Sequence, residues 1–88
     1  MKIGDIDLVE SNEAFAAQAL AVMRELGLPE DKTNPTGGGI AMGHPNAATR
    51  CILAVKAVHK LARTDCQFAL VTMCIGGGQH IAAIFERI

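Results

Sequence analysis

Phe68-Ala69-Leu70-Val71-Thr72-Met73-Cys74-Ile75-Gly76-Gly77-Gly78 is the stretch that decides the fold class. Every residue from 68 to 75 except Thr72 is apolar, on both alternating faces. A strand of that kind is buried on both sides, as in a sheet covered by helices. Three glycines then break it, and a last strand is expected over 81–85, ending at Glu86 and Arg87.

Upstream of this strand the period changes to that of a helix. A helix is expected over 46–62, with Lys56, Lys60 and Arg63 on a polar side and Cys51, Val55, Val58 and Ala62 on its other side. Arg50 stands at helical spacing with Ala54, Ala57 and Leu61, a small apolar stripe in which a charge needs an outlet to water or a partner. His59 falls on the polar side and reads as surface. Before this helix lies a loop over 33–45, dense in Gly and Pro, and long ordered loops in small domains often carry function.

Phe15, Ala19, Val22 and Leu26 mark one face of an earlier helix, which Gly27 and Pro29 end. Ser11 or Asn12 can cap it, and Glu13 suits its first turn. The run 6–9 reads as the first strand. The order is therefore strand, helix, loop, helix, strand, strand, an α/β pattern over residues 1–88 as one small domain or a piece of a larger one.

Composition narrows the function classes. Half of the 88 residues are apolar, enough for a core, but only three are aromatic, all Phe. Eight basic and nine acidic residues give a formal charge of −1, so nothing favours nucleic acid or an anionic membrane. The apolar runs fall short of a membrane span, and the N-terminus lacks a signal-peptide pattern. Cys51, Cys66 and Cys74, an odd set, read as free thiols of a cytoplasmic or organelle-matrix protein. Their spacing with histidine misses the usual zinc patterns, and no metal is expected.

Three positions carry candidate chemistry. Cys74 ends the buried strand beside glycines whose N–H groups can approach a ligand; equally, it can be a small buried hydrophobe above a hairpin. His44, held between Gly43 and Pro45, can serve as base or donor, or lie solvated in a turn. Asn12 can be a functional amide or a helix cap. The spacing of Gly37, Gly39 and Gly43 does not make a nucleotide loop, because no strand directly precedes it and no G-K-[S/T] follows.

Together these segments resemble thiolases. Asn12-Glu13-Ala14-Phe15-Ala16 matches their N-E-A-F motif, 37–45 is similar to their G-G-x-I-A-x-G-H-P motif, and 74–78 to their C-x-G-G-G motif. The order and spacing agree over nearly the whole chain, and the first motif resembles that of the acetyl-transferring members. The resemblance implies a fragment of the C-terminal half of the thiolase fold, in which strands that this chain lacks separate the first strand from the last two; the fragment is left to pair its strands differently, to associate with copies of itself, or to be part of a complete enzyme.

It also implies roles. Cys74 is the acid/base cysteine, His44 activates the nucleophilic cysteine and helps bind a thioester oxygen, Asn12 holds a water in that oxyanion hole, and the Gly76 N–H serves a second one. Coenzyme A thioesters are then the substrates, with no bound cofactor. The nucleophile belongs to an upstream half, and neither Cys51 nor Cys66 has its context. The family pattern G-H-P-x-G-x-[S/T]-G becomes Ala47 and Arg50 at its later glycines, and His80 replaces the glycine expected after Gln79. A left-handed backbone at His80 would be strained. The expected function is part of an acetyl-CoA C-acyltransferase, inactive alone and completed by the missing N-terminal part or by self-association. The alternative is a non-catalytic thiolase-like domain acting in packing, oligomerisation or ligand binding.

Overall fold

The computed structural model describes all residues from Met1 to Ile88. Strand β1 (Leu8–Ser11) is followed by helix α1 (Ala16–Leu26), a short helix α2 (Gly39–Met42), helix α3 (Thr49–Arg63), and strands β2 (Phe68–Gly76) and β3 (Gln79–Glu86). Single 3-10 turns lie at Ile3–Asp5 and Glu30–Lys32. The sheet order is β1-β2-β3, with β1 and β2 parallel and β2 and β3 antiparallel.

This order is the one in which the strands pair differently from the family's sheet. The first strand is not separated from the last two; Leu8, Val9, Glu10 and Ser11 lie opposite Ala69, Leu70, Val71 and Thr72. Asp7 helps to set that register. Its carboxylate accepts hydrogen bonds from the N–H groups of Gln67 at 2.8 Å and Phe68 at 3.0 Å. The Phe68 bond, then the Gln67 bond, hold the Asp7 carboxyl below its ordinary value. The charge thus clamps the start of β2 to the start of β1.

The two sheet faces hold two core clusters. Leu53, Ala57 and Leu61 of α3 pack on Leu8, Ala69, Val71 and Met73. On the other face Ile6, Val9 and Leu28 gather, with Val22 and Met23 of α1 and Phe68 and Leu70 of β2 against them. β2 is therefore buried on the α3 side and partly covered on the other, where Phe68 and Leu70 are half-buried. Each fully buried leucine contributes about 1.5–3 kcal/mol.

Of the two apolar sides of α3, the one that carries Ala57 and Leu61 packs on the sheet. Thr49, Leu53, Ala57 and Leu61 are buried, whereas Cys51, Val55, Val58 and Ala62 are exposed. The helix is apolar on two sides, and periodicity could not say which one the sheet would cover. Lys56, assigned to the polar side, is half-buried and paired with Glu10. Arg50 escapes its stripe because it lies in the first turn, where it is exposed, while Ala57 and Leu61 further along are buried.

The first helix also differs at its start. It begins at Ala16 behind Phe15 with no side-chain cap, so neither Ser11 nor Asn12 caps it and Glu13 lies outside its first turn. On its expected packed face Ala19 is buried and Val22 half-buried, but Phe15 and Leu26 are exposed. The first strand starts two residues later than expected, at Leu8, and the last runs longer, to Glu86.

Asn34 closes the outer edge of β1. Its Oδ1 accepts from the Ser11 N–H at 2.8 Å and its Nδ2 donates to the Ser11 carbonyl at 2.9 Å. It thereby imitates a neighbouring strand. Asn34 has φ of 48°, a left-handed conformation that asparagine tolerates better than most residues. The opposite edge of the sheet, β3, carries no such cover.

Candidate active site at the strand ends

β1 and β2 are parallel, so their C-terminal ends lie at the same end of the sheet. In open α/β sheets that is where ligands bind. Asn12 directly follows β1, and Cys74 and Gly76 lie among the last three residues of β2.

Asn12 is buried, and its Nδ2 donates to the Cys74 sulfur at 3.1 Å. Its Oδ1 has no protein partner, and neither does the buried Oε1 of Gln18. Both residues border a cavity of about 210 Å³ together with Thr72, Cys74 and His80. A second cavity, of about 260 Å³, is bordered by His44, Arg50, Cys74 and Gly76. Cys74 therefore stands between the two, half-buried and free. The four residues singled out from the sequence come from three separate segments; Asn12 meets Cys74 on one side, His44 and Gly76 border the cavity on the other, and neither of these two cavities is lined by both Asn12 and His44.

The backbone at this corner needs glycine. A register shift between Cys74 and Gly76 interrupts the β2–β3 ladder, and Gly76, Gly77 and Gly78 have φ of 134°, 56° and 76°. Side chains are strained in that region. His80, by contrast, is not among the positive-φ residues, so histidine costs no backbone strain there. It lies directly across from Cys74 in the ladder.

The loop that brings His44 is anchored from below. Glu10 is 1% exposed, and Lys56 meets it at 2.8 Å while also donating to the Gly37 carbonyl. Burial pushes the Glu10 carboxyl above its ordinary value, against the hydrogen bond and charge of Lys56. One ammonium thus ties β1, the glycine loop and α3 together. Glu13 holds the next step: a Cβ on Gly38 would strike its carboxylate, and one on Gly39 would meet its carbonyl oxygen at 2.9 Å. Glycine is required there for close approach, and the Glu13 carboxylate accepts the Ile40 N–H at 3.4 Å.

His44 is half-buried, with Nδ1 2.7 Å from Thr49 Oγ1. Sequence reasoning did not single out Thr49, nor Gln18. The signal for Thr49 was its place as the [S/T] of the histidine motif, five residues after His44. His80 had been noted only as a replaced glycine, although its position across the glycine turn already pairs it with Cys74. No group of three His, Cys, Asp or Glu side chains is arranged to hold a metal ion. No helix is long and apolar enough to cross a membrane.

Comparison with known proteins agrees with this arrangement. The model of the family described as "Thiolase, C-terminal domain" matches residues 1–87. The chain is 59% identical over 88 residues to the beta-ketothiolase BktB of Cupriavidus necator, and 56% identical over 90 residues to the 3-oxoadipyl-CoA/3-oxo-5,6-dehydrosuberyl-CoA thiolase of Escherichia coli K12. Both matches take in the whole chain. It is 50% identical over 86 residues to the 3-ketoacyl-CoA thiolase of Bacillus subtilis 168, which covers 98% of it. The chain spans 22% of the length of each of these relatives. With the family model matched almost end to end and its three motifs gathered at one end of the sheet, the chain belongs to the thiolase family, as a C-terminal domain.

Proposed function

We propose that this domain supplies the acid/base part of an acyl-CoA acyltransferase site, whose nucleophilic cysteine comes from outside these 88 residues. The observation that carries the reading is the approach of Asn12 Nδ2 to Cys74 Sγ at 3.1 Å, with His44 and Gly76 on the cavity beside that sulfur. The relatives act, by their names, on β-ketoacyl and related CoA thioesters, and the proposed substrates are of that class.

In the cleavage direction the nucleophilic cysteine loses its proton to His44 and attacks the β-keto carbon. The bond between the α and β carbons breaks, and its electron pair passes to the α carbon as an enolate. The Gly76 N–H faces the enolate oxygen, and the Cys74 S–H gives its proton to the α carbon. The Cys74 thiolate then takes the proton of incoming coenzyme A, whose sulfur bonds to the acyl carbon; the nucleophilic cysteine leaves as a thiolate and regains its proton from His44. Asn12 holds a water toward the thioester oxygen through its free Oδ1. The three free thiols suit a reducing compartment such as the cytoplasm.

The test is a chimaera in which this chain replaces the matching C-terminal segment of the Cupriavidus necator relative. Thiolysis of acetoacetyl-CoA is expected from the chimaera and not from the isolated chain, where no residue takes the acyl group. Cys74→Ser or His44→Ala should lower kcat about 10²–10⁴-fold. Turnover by the isolated chain, or a chimaera indifferent to both substitutions, overturns the reading.

A further inference from the structure

The proposed reading asks His44 to accept a proton on the nitrogen that Thr49 does not hold. A neutral imidazole has one protonated and one bare nitrogen, and the partner of one nitrogen decides the state of the other. Only Nδ1 of His44 has a protein partner, the Thr49 hydroxyl at 2.7 Å.

Thr49 is well placed to decide. It is 5% exposed and opens α3, so the helix fixes its position. Its hydroxyl lies 3.0 Å from the Pro45 carbonyl oxygen, four residues back. That carbonyl also receives the N–H groups of Ala48 at 2.8 Å and Thr49 at 2.9 Å. A carbonyl oxygen can only accept, and a hydroxyl has one proton. When that proton points to Pro45, the hydroxyl lone pairs face His44, and Nδ1 must carry the hydrogen.

We propose that Thr49 is a positioning residue that holds His44 as its Nδ1–H tautomer, leaving Nε2 bare on a side chain that borders the cavity shared with Cys74 and Gly76. This inference rests on the proposed function, because a bare Nε2 is what lets His44 act as a base. The same contact serves the imidazolium, in which Nδ1 still donates. The ring therefore need not turn as the proton comes and goes. The opposite arrangement, with the hydroxyl donating to Nδ1, protonates Nε2 and leaves His44 only a donor.

Histidine nitrogen NMR on the neutral ring of the intact 88-residue chain tests this directly. The exposed His59 is the internal reference, and His59→Gln and His80→Gln assign the signals. His44 is expected mainly as the Nδ1–H form, with His59 mainly as Nε2–H. Thr49→Ser should preserve the pattern, and Thr49→Val should bring His44 to the distribution of His59. A wild-type His44 protonated on Nε2, or a Thr49→Val chain with an unchanged His44, overturns the proposal. The wild-type and Thr49→Ser spectra decide the matter even if Thr49→Val does not fold. In the chimaera Thr49→Val should lower kcat with KM little changed, and Thr49→Ser should restore it. Dependence on Cys74 and His44 in the same chimaera tests the site itself, so the two ideas fail separately.

Discussion

Glu10 and Lys56 show how a single buried pair supports the site. Removing one partner from a buried pair leaves an uncompensated charge, which costs about 3–5 kcal/mol. Lys56→Met is therefore expected to destabilise the chain by about 3 kcal/mol at neutral pH, measured by urea unfolding. The pH dependence has a definite sign. The folded-state pKa of Glu10 lies above its unfolded value, so its favourable contribution is full below that unfolded value and is lost as pH rises through the raised one. Without Lys56 the raised value rises further, so the gap between Lys56→Met and wild type should narrow on acidification. A gap of constant size from neutral to acid pH would mean that Glu10 is not the group left stranded. Asp7 has the opposite sign: its lowered pKa contributes stability above the unfolded value, lost as pH falls through the folded one.

Among the elements, α3 joins the site to the core. Thr49 at its start contacts His44, Lys56 in its middle holds the glycine loop, and Leu53, Ala57 and Leu61 pack on the sheet. The two apolar sides of this helix should answer mutation differently. Leu53→Ala empties a position that is 3% exposed, and about 2–5 kcal/mol should be lost. Val58→Ala changes a position that is 49% exposed and should stay within about 0.5 kcal/mol. Equal losses at the two positions would show that the helix lies on the sheet with its other face. β2 has the second structural role, since its end carries Cys74 and its bulge frees the backbone that follows.

For the molecule as a whole, only 17 of 88 residues are buried, so the apolar half of the composition cannot all be inside. Val55 and Val58 on α3, and Ile81 and Ile84 on β3, are each about half exposed. β3 is also an open edge with unpaired backbone groups, a ready template for another strand. The isolated chain is expected to bury part of this surface by self-association, visible as a concentration-dependent mass in sedimentation over a dilution series. Val55→Glu with Val58→Glu should shift the chain toward monomer. A clean monomer with a cooperative, concentration-independent unfolding transition would contradict this and show that the core closes without help.

The sequence by itself determined the three strands and the two longer helices, the glycine corner after Cys74, and the thiolase motifs with their spacing, while the short helix α2 lies inside the stretch read as loop. These depend on neighbours a few residues apart, and local steric and hydrophobic preferences act at that range. The choice of the α3 face and the direct pairing of β1 with β2 were decided only in three dimensions. An apolar helix with two candidate faces has no local reason to prefer one, and strand order depends on what lies beside each strand. Asn12 shows the same limit at a single residue. An amide before a helix satisfies the pattern of a cap, yet here the helix begins at Ala16 and the amide reaches Cys74, 62 residues along the chain. A contact of that range leaves no periodicity to read, and only packing the strand ends together brings the two groups within hydrogen-bonding distance.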